Sequence, residues 1–522
     1  MEILNVRKLD EQLRPGYELF PFQQEALDKF ASLDHVLCGD DMGLGKTLEA
    51  IATDREWRLN KGTTKSKTLI VAPLTVLSSW VQHYRWALPN LRVYCIDPKN
   101  REGFKKALKE PYHIYLIHYD ALRLVQESLA RTEWFNVILD ECHRIKNRKS
   151  QMTRAVKMMR PQNRFAASGT PADSKPHDLW SVLNWLQPRK YTSYWKFYKN
   201  HVEYELTPQG YHRITGTKNV DQLQRDIAPF YLRRRKEEVL KDLPEKYYTT
   251  QWVDLTPAQR KAYDEMRKTQ LTWILDNKGN EVPLPAPEAI AKLTRLQQFA
   301  VGSIEMEQYK KRQLNKQWDS SKPTEEFDKK RLYDPKHNWK WRQVIAVRYN
   351  IIDPSAKIQA VMDLLENSTE PVVVFSQFKS AINLLEQHMT KEGMPYGLIT
   401  GDVPERARAN HIVNFQAGRL KCITGTIQAG GVGITLTRAS HVVFIDRSWK
   451  QAINRQAEDR LHRVGQKNAV QVTDIMARNT VDLGKDQQLK EQWTWLQQIL
   501  GDSVYDYQQQ VSSEFRSEQG WL

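Results

Sequence analysis

Short apolar runs recur along the N-terminal part of the chain, separated by stretches with helical periodicity. The runs are continuously apolar and do not alternate with polar residues, which is the pattern of strands buried on both faces. They therefore predict a parallel sheet in an α/β domain. Its predicted strands are residues 68–72, 114–118, 137–140 and 165–168.

A second series of apolar runs predicts another α/β domain nearer the C-terminus. Its members are residues 371–376, 396–400, 422–426, 442–446 and 470–475. Between the two series the periodicity is helical over residues 222–240 and 257–275, and a proline-rich break follows at 282–287. The pattern thus predicts two α/β lobes with a helical insertion between them.

The changes of pattern also suggest domain boundaries. We place lobe one at residues 1–205, the helical insertion and a basic linker at 206–350, lobe two at 351–500 and a polar tail at 501–522. A length of 522 residues agrees with two or three domains, each large enough to bury its own core.

The chain is basic, with 78 Lys and Arg against 62 Asp and Glu and a net charge of +16. This charge favours a polyanionic partner such as nucleic acid, although by itself it fits an ordinary soluble protein equally well. Cations are dense between Tyr309 and Tyr349, where they interleave with Trp318, Trp339 and Trp341. Two interpretations of this segment stay open: a nucleic-acid surface with stacking rings, or a solvated linker whose tryptophans pack on a lobe.

The cysteines are too far apart to form a Cys-x-x-Cys pair, so neither zinc nor a disulfide framework is expected. They are Cys38, Cys95, Cys142 and Cys422. The first sixteen residues lack the apolar centre of a secretion signal, and no stretch reaches the ~20 apolar residues of a membrane helix. We expect an intracellular protein, cytoplasmic or, in a eukaryotic source, nuclear.

A glycine loop lies at residues 40–47 and leads into a helical pattern that runs to residue 58. Gly43 and Gly45 allow backbone N–H groups to approach a polyphosphate at a helix N-terminus. Lys46 would reach the terminal phosphates, and Thr47 would bind magnesium. The strict motif has glycine where this chain has Asp40, so the loop alone leaves a chance match open.

An acidic pair, Asp140 and Glu141, follows a predicted strand. A carboxylate there can hold magnesium, and its neighbour can orient or deprotonate the attacking water. Acidic pairs at strand ends are common and usually carry no function. Its position after a phosphate loop and a further strand makes this pair a strong indication of ATP hydrolysis.

Gln456, Arg460 and Arg463 are spaced i, i+4 and i+7, which predicts that they share one face of a helix. Two guanidiniums there suit the charge that develops during phosphoryl transfer. The alternative is an ordinary basic face paired with Glu458 or Asp459. We favour the first interpretation because the preceding glycines and apolar run predict an edge of lobe two that faces lobe one.

Seven ordered motifs resemble the Swi/Snf family of helicase superfamily two, of its compact prokaryotic or viral type. They are residues 40–47, 69–80 (LIVAPLTVLSSW), 140–147 (DECHRIKN), 168–171 (SGTP), 372–378 (VVVFSQF), 428–437 (QAGGVGITLT) and 456–466 (QAEDRLHRVGQ). Further similarity at 178–188 and 227–246 extends the resemblance from about residue 19 to about 489. Two features depart from the family: Cys142 replaces its usual alanine and should pack as an apolar residue, and 296–303 (LQQFAVGS) lacks a Cys-Asn-His run.

The resemblance implies two RecA-like parallel-sheet lobes, ATP and Mg²⁺ as cofactors and duplex DNA as partner, with the chain acting as a monomer and without a membrane. By resemblance, Gln23 would recognise adenine, Arg460 and Arg463 would be arginine fingers, and Gln456 would join Gly43, Gly45, Lys46 and Thr47 in binding ATP. The implied magnesium ligands are Thr47 and Asp140. The implied strand contacts are Pro73, Thr75, Gln377, Arg408, Thr426 and Trp449, although Thr75, Gln377 and Thr426 also suit helix caps or turns.

The implied function is a motor that hydrolyses ATP in response to duplex DNA, translocates along it and remodels DNA or protein–DNA complexes. Two alternatives stay open: an RNA helicase of the DEAH-like kind, and the motor subunit of a defence or restriction assembly. Residues 144–147 and 463–466 are closer to the Swi/Snf pattern than to the DEAH-like one.

Overall fold

The computed structural model describes residues 19–60, 66–172, 175–208, 210–276, 279–285, 289–315, 333–334, 339–430 and 434–500. The strands are β1 (His35–Cys38), β2 (Thr68–Ala72), β3 (Val93–Cys95), β4 (Ile114–His118), β5 (Asn136–Asp140), β6 (Asn163–Ala167), β7 (Val202–Leu206), β8 (His212–Thr217), β9 (Tyr231–Leu232), β10 (Lys246–Val253), β11 (Leu271–Asp276), β12 (Glu281–Pro285), β13 (Ser303–Asn315), β14 (Tyr333–Asp334), β15 (Trp339–Ile352), β16 (Val372–Ser376), β17 (Tyr396–Ile399), β18 (Cys422–Thr426), β19 (His441–Phe444) and β20 (Val470–Ala477). The helices are α1 (Pro21–Phe30), α2 (Lys46–Asn60), α3 (Leu77–Ala87), α4 (Arg101–Ala107), α5 (Leu122–Arg131), α6 (Gln151–Met158), α7 (Leu179–Leu186), α8 (Tyr194–His201), α9 (Val220–Ile227), α10 (Lys236–Val239), α11 (Pro257–Thr269), α12 (Ala289–Val301), α13 (Ala356–Asn367), α14 (Lys379–Lys391), α15 (Glu405–Gln416), α16 (Ile427–Gly430), α17 (Gln451–Glu458) and α18 (Val481–Leu500).

Lobe one is built on a seven-stranded sheet in the order β3-β4-β2-β5-β6-β1-β9. Every pairing in it is parallel. All five residues of β2 are buried, as its continuous apolar run predicts. Successive side chains of a strand point to opposite faces, so Leu69 enters one apolar core and Ile70 enters the other.

Lobe two repeats this arrangement with six parallel strands in the order β10-β20-β19-β16-β18-β17. Val372 and Val374 of its central strand enter one core, and Val373 and Phe375 enter the other. Parallel strands require crossover connections, and helices supply them here. The prediction of an α/β protein with two RecA-like parallel-sheet lobes is therefore confirmed.

The insertion is less helical than predicted, because strands β11 to β15 form a five-stranded sheet beside helices α11 and α12. The helical pattern assigned to 257–275 ends early, since Gln270 adopts a left-handed backbone with φ +59°. The chain then continues as β11, in which Thr272 and Ile274 are buried while Trp273 is exposed. The prediction of a helix that continues to residue 275 is therefore wrong.

The helical pattern assigned to 222–240 is also interrupted. Helix α9 ends at Ile227, Pro229 follows, and Tyr231–Leu232 form strand β9. Proline lacks the N–H group that a continuing helix needs, which explains the break.

The segment assigned to the insertion also contributes strands to both lobes. β9 pairs with β1 of lobe one, and β10 pairs with β20 of lobe two. The chain thus crosses from one lobe to the other between residues 233 and 245. The domain boundaries drawn from the sequence stay predictions.

The basic, tryptophan-rich segment lies partly in a pair of antiparallel strands, β13 and β15. Near the base of this pair, the guanidinium of Arg348 lies 4.7 Å from the centre of the Tyr309 ring. The side chains of residues 311–345, and with them all three tryptophans, lie outside the described residues. Both interpretations of this segment therefore stay predictions.

Helix α18 connects the two lobes near the end of the described chain. It begins in lobe two, where Asp482 Oδ2 lies 2.7 Å from Lys357 Nζ. It ends on lobe one, where Ile499 joins the apolar core and Gln498 Oε1 accepts from Thr217 Oγ1 at 2.9 Å. The helix is 20 residues long, yet neither it nor another described helix is apolar enough over its length to cross a membrane.

Candidate functional site

The glycine loop connects β1 to α2, so the predicted helix after the loop is present. Gly43 and Gly45 have φ values of +89° and +86°, a left-handed conformation that favours glycine. A side chain on Gly45 would also collide with the amide of Gln23. Lys46 Nζ donates to the carbonyl oxygens of Asp40 at 2.7 Å and Asp41 at 3.0 Å, so the loop curls around its ammonium.

Asp40, the departure from the strict loop motif, belongs to a buried ionic cluster. Its carboxylate accepts from the backbone N–H and Nε of Arg234, each at 3.0 Å. Arg234 Nη2 also donates to Glu49 Oε1 at 2.6 Å. A buried carboxylate is unfavourable unless it is paired with a cation and hydrogen-bonded, and Arg234 provides both to Asp40. Asp40 therefore fastens the phosphate loop to the segment that connects the lobes.

The acidic pair lies at the carboxyl end of β5, as predicted. Asp140 Oδ2 accepts from Trp80 Nε1 at 2.8 Å, and the backbone carbonyl of Asp140 accepts from the Tyr119 hydroxyl at 2.7 Å. Burial, and then the negative charge of Glu141, raise the pKa of Asp140 to about 6. Cys142 is buried in the apolar core of lobe one, which confirms that it packs as an apolar residue.

Glu141 has a left-handed backbone, with φ +52°, which is uncommon for a residue that is not glycine. Its Oε2 accepts from Ser168 Oγ at 3.2 Å and lies 3.2 Å from His143 Nδ1. Burial alone would raise the pKa of Glu141. The hydrogen bond from His143 and the positive charges of Lys46 and Arg460 outweigh burial and lower that pKa to about 2, so Glu141 is ionised at neutral pH.

The prediction that Gln456, Arg460 and Arg463 share one helical face is wrong. Helix α17 ends at Glu458, and both arginines lie in the turns that follow. The backbone N–H of Arg460 donates to the carbonyl of Ala457 at 3.2 Å and not to that of Gln456, and the carbonyl of Arg460 accepts from the backbone N–H of Leu436 at 2.9 Å. Gln456 still contacts Arg460, because the backbone carbonyl of Gln456 accepts from Arg460 Nε at 3.0 Å.

Both arginines nevertheless lie at the site that lobe one supplies. The positive charge of Arg460 contributes to the lowered pKa of Glu141. Arg463 Cβ lies 3.4 Å from the position that a Cβ would take on Gly43. The structure therefore brings together the glycine loop, the acidic pair and the two arginines from opposite lobes.

Gln23 lies next to the loop, and Thr47 is the last residue of the loop. Gln23 is buried, and its Nε2 donates to the carbonyl of Leu44 at 2.9 Å. Thr47 is the second residue of α2, which places it at the helix N-terminus. The assigned roles in adenine and magnesium binding stay predictions.

The proposed strand contacts of lobe one follow β2. Pro73 is buried and precedes a 3₁₀ helix, Leu74–Val76, on which Thr75 is exposed. No described contact joins these residues to the contacts proposed in lobe two.

Three proposed contacts of lobe two lie close together. Gln377 follows β16, and the residue before it pairs in register with Thr426 of β18. Gln377 and Trp449 are joined through Gln297, whose Oε1 accepts from Gln377 Nε2 at 3.0 Å and from Trp449 Nε1 at 2.7 Å. Arg408 is half-buried on α15, and no described contact joins it to the other three.

The residues that connect Gln377 with Trp449, and the glycine loop with the segment between the lobes, were not predicted from the sequence. Gln297 lies in the segment 296–303, which was noted only for its departure from the family. Arg233, Arg234 and Lys236 all contact the glycine loop from the connecting segment. One signal was available: these cations stand together at residues 233–236, directly after the short apolar pair of β9.

This fold and site define a class of two-lobed α/β protein in which a glycine loop of one lobe lies beside arginines of the other. Comparison with known families is more specific. The SNF2-related domain matches residues 22–301, and the helicase conserved C-terminal domain matches residues 356–465. The chain therefore belongs to the SNF2-related family of ATP-dependent helicases and translocases.

Similar proteins include an uncharacterized ATP-dependent helicase of Mycoplasma pneumoniae, 27% identical over 92% of this chain and 42% of that protein. The TATA-binding protein-associated factor mot1 of Schizosaccharomyces pombe is 27% identical over 92% of this chain and 26% of its own length. The chain thus spans less than half of these relatives. Among solved structures, a Sulfolobus solfataricus SWI2/SNF2 ATPase core in complex with dsDNA is 23% identical, at a TM-score of 0.41, covering 97% of this chain and 100% of that one.

Proposed function

We propose that the protein hydrolyses ATP in response to duplex DNA, translocates along the duplex and remodels DNA or protein–DNA complexes. The observation that carries this proposal is the meeting of the lobes at the glycine loop, where Arg463 Cβ of lobe two lies 3.4 Å from the Cβ position of Gly43 of lobe one and Arg460 lies in the same turn. A site that is complete only when two lobes meet can couple hydrolysis to their relative movement. When each lobe binds a DNA strand, movement of the lobes relative to each other carries the protein along the DNA.

Each residue of the site has a chemical task that suits its position. The glycine loop and Lys46 bind the phosphates, and ATP would replace the loop carbonyls that now receive the Lys46 ammonium. Glu141, ionised and held by Ser168, orients the attacking water. Arg460 and Arg463 place positive charge where negative charge develops on the transferred phosphoryl group.

The residues also fit a magnesium ion. A hydroxyl at a helix N-terminus and a carboxylate at a strand end are the hard oxygen donors that Mg²⁺ prefers. Trp80 Nε1 donates to Asp140 Oδ2, which fixes the orientation of this carboxyl group at the end of β5. Thr47 and Asp140 would hold the ion, which when bound would neutralise phosphate charge.

The DNA interface we propose follows the carboxyl ends of the parallel strands, where ligands of open α/β sheets bind. Thr75 stands there in lobe one, and Gln377, Thr426 and Trp449 stand there in lobe two. The net charge of +16 favours phosphate contacts, which carry no sequence information. We therefore expect DNA binding without base specificity that weakens steeply as salt rises.

The proposal is tested by the steady-state ATPase rate of the whole chain with a panel of duplex DNA, single-stranded DNA, duplex RNA and single-stranded RNA. Duplex DNA should raise the rate well above that of the chain without nucleic acid. The DNA concentration for half-maximal stimulation should rise with salt. Equal rates with and without duplex DNA would refute the proposal, and stimulation by RNA alone would favour an RNA helicase.

A further inference from the structure

Lys236 lies between the two parts of the ATP site, although neither a nucleotide motif nor a strand contact includes it. It is the first residue of α10, in the segment that crosses between the lobes, and only 2% of it is exposed. Its backbone N–H donates to Asp41 Oδ2 at 3.3 Å, and its Cε lies 3.5 Å from the position of a Cβ on Gly43. The residue is thereby anchored on the glycine loop of lobe one.

The side chain of Lys236 reaches lobe two. Its Nζ donates to the backbone carbonyl of His462 at 2.6 Å and pairs with Asp459 Oδ1 at 2.7 Å. Along the chain, Asp459 and His462 lie on either side of Arg460, and Arg463 follows His462. One ammonium therefore holds both ends of the turn that carries Arg460.

This turn needs such support because the regular helix has already ended. The carbonyls that follow a helix end have no partner within the helix and must find another donor. Lys236 supplies one for His462, and its charge balances the carboxylate of Asp459, which is only 15% exposed. A buried ammonium group is unfavourable unless it has an opposite charge and hydrogen-bond acceptors beside it. The turn supplies both to Lys236, so displacing either the turn or Lys236 would leave the other without its partner.

We propose that Lys236 is a positioning residue that fixes the Asp459–Arg463 turn against the glycine loop and so couples closure of the lobes to placement of the arginines. The inference rests on the proposed function, in which Arg460 and Arg463 act on ATP. Lys236 acts through the turn, because two lobe-two acceptors engage its ammonium. Its loss should therefore impair the chemical step more than the binding of nucleotide.

The test compares Lys236→Met with Lys241→Met, the same change at an exposed lysine of the same segment. With saturating duplex DNA, Lys236→Met should lower kcat by about tenfold or more while KM for ATP changes less than about threefold. Affinity for ADP with fluoroaluminate should fall by a similar factor, and affinity for ADP alone should not. Lys241→Met should match the wild type in all these quantities.

Two results would overturn the inference: a wild-type kcat for Lys236→Met, or equal losses of affinity for ADP and for its fluoroaluminate complex. If Lys236→Met does not fold, as judged by circular dichroism, Asp459→Asn removes the same ion pair with little change of volume and should show the same pattern. When both variants fold, the double variant should lose no more activity than the worse single variant. Additive losses would show that Lys236 does not act through Asp459.

The same experiment separates this inference from the proposed function. A wild-type chain without DNA-stimulated hydrolysis would refute the proposed function itself. A stimulated wild type, an inactive Arg463→Ala and a fully active Lys236→Met would refute only the role of Lys236.

Discussion

Glu141→Gln is expected to lower kcat for ATP hydrolysis by about 10²- to 10⁴-fold, the usual contribution of a group that handles a proton or its water. The lowered pKa of Glu141 makes it a carboxylate at neutral pH, with acceptor oxygens only. Glutamine has nearly the same shape but replaces one acceptor with a donor. Ser168 and His143 both lie at Oε2, where the glutamine oxygen can stay, so the NH₂ group takes the place of Oε1 as an acceptor for water.

ATP binding should survive this change, because the glycine loop and Lys46 are untouched. The measurements are single-turnover hydrolysis and the equilibrium affinity for ATP. Glu133→Gln is the matched control, since it makes the same change at an exposed carboxylate of lobe one. Glu141→Gln turning over at the wild-type rate would remove Glu141 from the chemical step.

Arg463→Ala should lower kcat by about 10³-fold, near the lower end of what an arginine finger contributes. Burial lowers the pKa of Arg463, while the nearby carboxylate of Asp459 raises it; a guanidinium still remains charged at neutral pH. Its Cβ is 3.4 Å from the Cβ position of Gly43 and its Nη1 donates to the carbonyl of Ile434 at 3.4 Å, so the truncation removes a positive charge from the part of lobe two that faces the glycine loop. The affinity for ADP should change little, since the interaction forms mainly in the transition state.

The control for Arg463 is Arg438→Ala, which removes an exposed arginine of the same lobe. Hydrolysis and ADP affinity should both stay at wild-type values in it. An Arg463→Ala chain that loses ADP affinity and kcat by the same factor would indicate a binding role instead of a transition-state role.

The sheets of both lobes were largely predictable from the sequence. A strand covered by helices on both faces is continuously apolar, so β2, β4 and β18 were predicted with their observed bounds. The short edge strand β9 was missed. Its two residues are only half-buried and followed by cations, so they carry no apolar run.

The insertion was predicted poorly for a different reason. Its strands are exposed on one side, and β11 even exposes Trp273 while it buries Thr272. The apolar residues of these strands then do not mark the buried face of the sheet, and their spacing also fits a helix. The break at Pro229 was a usable signal, since proline ends the helix there.

The chemical residues of the ATP site were found by motif, whereas the contacts that assemble them were not. Arg234 contacts Asp40 from 194 residues away, and Lys236 contacts His462 across 226 residues. Contacts between residues so far apart in the chain do not change the local pattern of hydrophobic and polar residues, so one sequence does not predict them. The helix end at Glu458 was not predicted because the spacing of Gln456, Arg460 and Arg463 continues a helical pattern beyond it.

The central claim is that closure of two lobes on one ATP site drives movement along duplex DNA. The most direct test is displacement of a third strand bound in the major groove of a duplex, since a protein moving along the duplex strips it off. The wild-type chain should displace this strand with ATP, and neither the wild type without ATP nor Glu141→Gln with ATP should do so. DNA-stimulated hydrolysis without displacement above the ATP-free level would contradict the account.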